Sequence, residues 1–130
     1  MPGKLMQVAL WALVLNGLPD PLHAQSRGVT GQIGVLGEWE LTATVTRQTD
    51  SGGPQWVGPL SLKHVGSCSI DGPEEKTGEL RLRIPDRLRE ATAILTIDGT
   101  TCTFSGRLDA YNGVMACPDR RSVPMMLSLQ

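Results

Sequence analysis

From Glu38 to Thr46 every second side chain is apolar. Trp39, Leu41, Ala43 and Val45 share one face, and Glu38, Glu40, Thr42, Thr44 and Thr46 share the other. A period of two, with β-branched residues on the wet face, predicts a half-buried β-strand. The alternation returns further along the chain. Leu60, Leu62 and His64 oppose Ser61 and Lys63, while Leu80, Leu82 and Ile84 alternate with Glu79, Arg81 and Arg83. Cys102, Phe104, Gly106 and Leu108 line one side of the run 100–108. Residues 91–97 also read as a strand, and the Asp98-Gly99 that follows predicts a two-residue hairpin turn.

The breaks between these runs are polar and rich in Gly and Pro. Residues 28–37 read as a loose lead-in or a short edge strand, 48–59 as a loop, and 71–78 as a second polar loop. Gly66 marks a bulge ahead of Cys68 and Ile70, and residues 86–90 suit one helical turn capped by Asp86. Asn112-Gly113 offers another turn into Val114–Cys117, and residues 123–129 close the chain as a last strand. Six to seven short strands and no long helix predict an all-β fold, a small antiparallel barrel or sandwich.

The first two dozen residues follow another pattern. Lys4 precedes an apolar run of about fourteen residues from Leu5 to Leu18, too short to span a bilayer as a helix. Pro19, Asp20 and Pro21 then break the run before Leu22-His23-Ala24. This is the layout of a cleavable secretory signal peptide over residues 1–24, with a single β domain over 25–130. The expected location is therefore exported, periplasmic or extracellular, with no membrane span in the mature chain.

Composition narrows the function further. The net charge of −1 argues against nucleic acid as a partner, which would call for clustered basic surface. Three cysteines in an oxidising compartment predict one disulfide and one remaining thiol. Cys102–Cys117 is favoured, with Cys68 buried and unreactive. An exact two-residue turn at Asn112-Gly113 would set Leu108 opposite Cys117, so this bridge requires a wider turn, and Cys68–Cys102 competes with it. The scattered cysteines and histidine show no metal-ligand spacing, and neither metal nor cofactor is expected.

No catalytic set assembles. On a strand His64 and Cys68 lie roughly 13 Å apart, beyond thiol–imidazole contact. Glu38 and Glu40 are roughly 7 Å apart on one face, but that face is a row of threonines, as a solvated strand surface would be. Arg81, Arg83, Arg87 and Arg89, with Arg120 and Arg121, form the only basic concentration. Glu79, Asp86 and Glu90 lie close enough in sequence to offset it. Trp56 stands out, because Gly53-Pro54-Gln55 and Val57-Gly58-Pro59 enclose it in the 48–59 loop. It either plugs one end of a barrel or serves as an exposed partner contact.

The segment Gly37-Glu38-Trp39-Glu40-Leu41-Thr42 resembles the Gly-x-Trp-Glu-x-Thr opening of a family of small uncharacterised secreted bacterial β proteins. The resemblance implies an exported β domain with later cysteines, loosely placed like Cys102 and Cys117, and carries no activity with it. The chain is thus expected to be a monomer with a non-enzymatic binding or structural role, its partner a protein or small ligand. Two alternatives stand beside this. One is an inhibitor that presents the 48–59 loop to a secreted or periplasmic hydrolase, and the other is a small barrel that binds an apolar ligand.

Overall fold

The alternating runs fold as strands, and the strands close on themselves. The computed structural model describes residues 26–66, 72–85 and 90–130. In chain order the strands are β1 Ser26–Ile33, β2 Trp39–Asp50, β3 Gly53–His64 and β4 Glu75–Arg83, then β5 Glu90–Ile97, β6 Thr100–Arg107, β7 Val114–Ala116 and β8 Val123–Leu129. Each pairs antiparallel with the next, and β8 returns to β1, so the sheet is a closed up-and-down barrel. Closure removes the sheet edges that would otherwise expose unpaired backbone groups. The expected leader, Cys68 and the turn at Asp86 lie outside the described residues.

The barrel has eight strands, where the sequence pattern predicted six to seven, and it is a barrel and not a sandwich. The difference lies mainly in residues 28–37. Their glycines weaken the strand signal, yet Ser26–Ile33 pairs with β2 along its whole length and with β8 from Val29 to Ile33. Val29 and Ile33 are buried on the inner face with Gly31 between them. Tertiary pairing on both sides outweighs the local preference.

The inner rows make a filled core. Leu41, Val45, Leu80, Leu82, Leu95, Phe104 and Leu127 are all nearly inaccessible to solvent. An eight-stranded barrel is just wide enough for side chains to fill or for one small ligand to enter. Here the middle is filled.

Two inner glycines shape the wall between β3 and β4. Gly58 pairs with Leu80, and Gly78 pairs with Leu60, so each glycine faces a leucine across the ladder. A Cβ on Gly58 would overlap the Thr44 carbonyl oxygen, and one on Gly78 the Thr96 carbonyl oxygen. Only glycine admits such a close approach of neighbouring strands.

Residues 48–59 do not form the expected loop. They are the ends of β2 and β3, joined at Ser51-Gly52 and paired from Asp50↔Gly53 inward. The Asp50 carboxylate holds the turn. It accepts the Gly52 N–H at 2.8 Å, the Gln55 Nε2 at 3.0 Å and the Arg83 Nη2 through both oxygens at 3.0 Å. Polar loop composition here reflects a hairpin reaching past the body of the barrel. The second polar loop likewise ends earlier than expected, because Glu75 already opens β4. Gly66 lies in the connection after β3 and forms no bulge within the strand.

The hairpin at Asp98-Gly99 forms as expected. Ile97 pairs with Thr100, and both turn residues have positive φ, 50° and 82°. This is the two-residue turn whose twist matches the flanking strands, and it favours Asp-Gly for that reason. The Asn112-Gly113 turn is wider than two residues. Residues 108–113 connect β6 to β7, and the Asn112 Oδ1 accepts the Arg107 N–H at 3.1 Å.

That wider connection sets the cysteines. β6 and β7 pair as Thr103↔Ala116, Phe104↔Met115 and Ser105↔Val114, which places Cys102 opposite Cys117 one step further along. Their Cα atoms are 4.3 Å apart and the sulfurs are bonded. Directly opposed residues of an antiparallel pair approach this closely at the non-hydrogen-bonded positions.

Candidate functional site

The two ends of the barrel differ. One end is where the chain crosses from β2 to β3, from β4 to β5 and from β6 to β7. Trp56 lies there, on β3 and not in a loop, half-buried and in contact with the core. The Arg27 guanidinium sits 5.6 Å from the centre of its ring, a cation–π contact that covers the indole. Ile84, Leu108 and Leu129 also pack against the core from this side.

At the opposite end the inner-row residues Ile33, Trp39 and Ile97 stand at the ends of their strands around a cup of about 380 Å³. Its volume falls within the range of about 300–1,000 Å³ common for small-ligand sites. The floor is apolar, formed by Ile33, Leu62, Ile97, Met115 and the Cys102–Cys117 disulfide. Trp39 makes one wall, and its ring lies 4.6 Å from that of His64 at 55°. These two are cross-strand partners at the ends of β2 and β3. The His64 N–H donates to the Glu74 carbonyl at 2.8 Å, and the Val65 N–H to the Glu38 carbonyl at 2.7 Å, which ties the β3 end to its neighbours.

Polar groups stand at the rim: Lys76, Asp98, Thr100 and Arg120. Lys76 pairs with the buried Leu62 and precedes Gly78, Leu80 and Leu82 on the same alternate row. It therefore occupies an inward position, and its ammonium lies 5.3 Å from the centre of the Trp39 ring. Arg120 comes from the β7–β8 turn, whose start at Cys117 is anchored by the disulfide. No described carboxylate is in ion-pair contact with either cation.

Other depressions of about 270–400 Å³ lie on the outside of the barrel, one against the β1–β2 turn and Tyr111 and the others along the strands. The cup differs from them because inward-facing apolar residues form it and its floor is the core itself. It is the best candidate for a ligand site on that ground.

The other residues singled out by the sequence pattern are separated from one another. Glu38 accepts the Leu36 N–H at 3.1 Å within the β1–β2 turn, while Glu40 is exposed on the outer face of β2. Arg81 pairs with Glu79 at 2.9 Å and Arg83 with Asp50 at 3.0 Å, so neither is an open anion contact. The Arg83 hydrogen bond, helped by the Gly52 N–H, holds the Asp50 carboxyl below its ordinary value of 3.8. Among the described residues no group of three or more His, Cys, Asp or Glu could hold a metal ion.

Sequence reasoning missed the cup residues Lys76 and Arg120 as a pair. One signal was available: the alternation through Leu80 and Leu82 extends back through Gly78 to Lys76. The glycine hid it, and Arg120 joins the site only through the turn after β7.

Compared with known protein families, curated proteins and solved structures, the chain matches none.

Proposed function

We propose that this protein is an exported, non-enzymatic binding domain whose cup takes up the apolar part of a small ligand. The observation that carries this reading is the cup itself: an apolar floor continuous with the core, one aromatic wall, and a few polar groups gathered at the mouth. Such sites bury most of a ligand against apolar side chains and use a small number of polar groups to orient it. A filled barrel middle limits the ligand to one that sits in the mouth. Export through the leader at residues 1–24 fits a domain that carries a disulfide.

The test is a fluorescence titration with N-phenyl-1-naphthylamine, a neutral dye that brightens in apolar surroundings. Saturable binding at one site is expected, and Thr100→Phe should weaken it by filling the mouth from an exposed rim position. Absence of saturable binding, or binding that Thr100→Phe leaves unchanged in a folded protein, would overturn the reading.

A second reading rests on the β1–β2 turn. Val35 and Leu36 are 78% and 87% exposed there. Hydrogen bonds from Gly34 N–H to the Pro124 carbonyl and from Gly37 N–H to the Gly34 carbonyl hold the turn. Adjacent exposed apolar side chains on a fixed turn suit a contact with another protein. The inhibitor alternative thus moves from residues 48–59 to this turn. It requires that the protein slow a secreted protease or lysozyme, and that Val35→Ser with Leu36→Ser abolish the effect.

A further inference from the structure

The chemistry of the rim says more about the ligand. We infer that the cup takes an anionic amphiphile, an apolar ring or short chain ending in an acidic group, whose anion is held by Lys76 and Arg120. This inference rests on the binding reading above and adds the class of ligand.

Lys76 is the central observation. Its row along β4 is otherwise Gly78, Leu80 and Leu82, and its cross-strand partner Leu62 is buried in the cup floor. Lys76 is half-buried, and the hydration a charged group gives up at an inward position is costly unless something opposes its charge. The face of Trp39 supplies part of this through the cation–π contact. No described carboxylate completes it. Glu75, the nearest acid in sequence, pairs instead with Lys63 on the outer face of the ladder.

The opposite end of the barrel is an internal comparison. Arg27 covers Trp56 there as Lys76 covers Trp39. A cation over a tryptophan is therefore a way of finishing either end, and alone it implies no ligand. The mouth differs in two respects. It has an open apolar volume beneath the cation, and it has a second cation, Arg120, on the rim. Against these stands one acid, Asp98, so the rim carries an excess of one positive charge on a chain whose net charge is −1. The attraction for an anion is local to the cup. Arg120 also presents a planar fork suited to a carboxylate, sulfonate or phosphate, which complements the point charge of Lys76.

The experiment displaces bound N-phenyl-1-naphthylamine from the disulfide-bonded protein with decanoate, decanol and decylamine, which share one chain and differ in head-group charge. Decanoate should displace the dye at a concentration at least about fivefold lower than decanol, the scale of one favourable exposed ion pair. Decylamine should be the weakest. The gap between decanoate and decanol should shrink in high salt. Lys76→Met combined with Arg120→Gln should close the gap between decanoate and decanol, and Arg107→Gln, outside the cup, should preserve it. If the dye binds but decanoate is no better than decanol, the anion inference fails and the cup reading survives. A gap that persists in the Lys76→Met/Arg120→Gln variant also overturns the inference. If the dye does not bind at all, the cup reading itself fails.

Discussion

Breaking the Cys102–Cys117 bridge should destabilise the barrel by an amount that follows from its place in the chain. The bridge closes a loop with a sequence separation of 15 residues. In the chain-entropy treatment, a loop of that length restricts the unfolded chain enough to contribute about 3 kcal/mol. A domain of roughly a hundred residues has an unfolding entropy near 0.2 kcal/mol/K at its midpoint, so the melting temperature should fall by roughly 14 °C. Locally the native state has little else to compensate. β7 pairs with β6 at three positions and with β8 at two, the shortest ladders in the barrel.

Differential scanning calorimetry with and without a phosphine reductant measures the shift, and mass spectrometry after alkylation confirms that Cys102 and Cys117 are free. Reduction leaves both side chains in place, so Cys102, only 3% exposed, opens no cavity. Cys102→Ala with Cys117→Ala should melt at the same temperature or lower, since it also removes packed sulfur. Urea unfolding separates the mechanisms. If the bridge acts on the unfolded chain, the reduced protein exposes more surface on unfolding and its m-value rises. A midpoint shift below about 4 °C with both thiols free would refute the magnitude. An unchanged m-value would refute the mechanism.

Two further outcomes test the wall and the long hairpin. Gly58→Ala and Gly78→Ala should each destabilise by about 1–3 kcal/mol, the usual range for overpacking, because each added methyl meets a backbone carbonyl oxygen that cannot move away alone. Urea midpoints with unchanged slopes would show this, and a neutral result would disprove the close approach. Asp50 has its pKa lowered in the folded state, so its pairing stabilises the fold above the ordinary carboxyl value of 3.8 and is lost as pH falls through the lower folded value. Arg83→Gln should therefore flatten the dependence of stability on pH below about 4, and an unaltered acid limb would show that the Asp50–Arg83 contact does not form in solution.

The cup also bears on why the barrel middle is filled. Eight strands lie at the size where an interior either packs or holds one ligand. In this chain Leu, Ile, Val and Phe pack the centre, and the glycines Gly58 and Gly78 draw β3 and β4 in towards their neighbours. Among the described residues, the space of the cup lies where the β4 and β6 rows end in Lys76 and Thr100 instead of large apolar residues.

The pattern of residues along the chain was enough for much that depends on neighbours in sequence, though the polar composition of the β2–β3 hairpin read as a loop. Alternation between Glu38 and Thr46 defined β2 from Trp39 to Thr46 and its buried face, and Asp98-Gly99 defined the hairpin between β5 and β6, because strand period and turn geometry are local properties. The bridge between Cys102 and Cys117 was legible as the favoured pairing, but its register was not. It depended on a connection of six residues, 108–113, whose width only the packing of β7 against β6 and β8 decides. β1 was read only as a lead-in or short edge strand for a related reason: its full strand character comes from partners on both sides, the adjacent β2 and β8 at the far end of the chain, and not from its own Gly-rich composition. The site lay furthest from view. Trp39, Lys76 and Arg120 belong to three separate segments of no shared motif, and they meet because barrel closure brings the ends of β2, β4 and β7 to one rim.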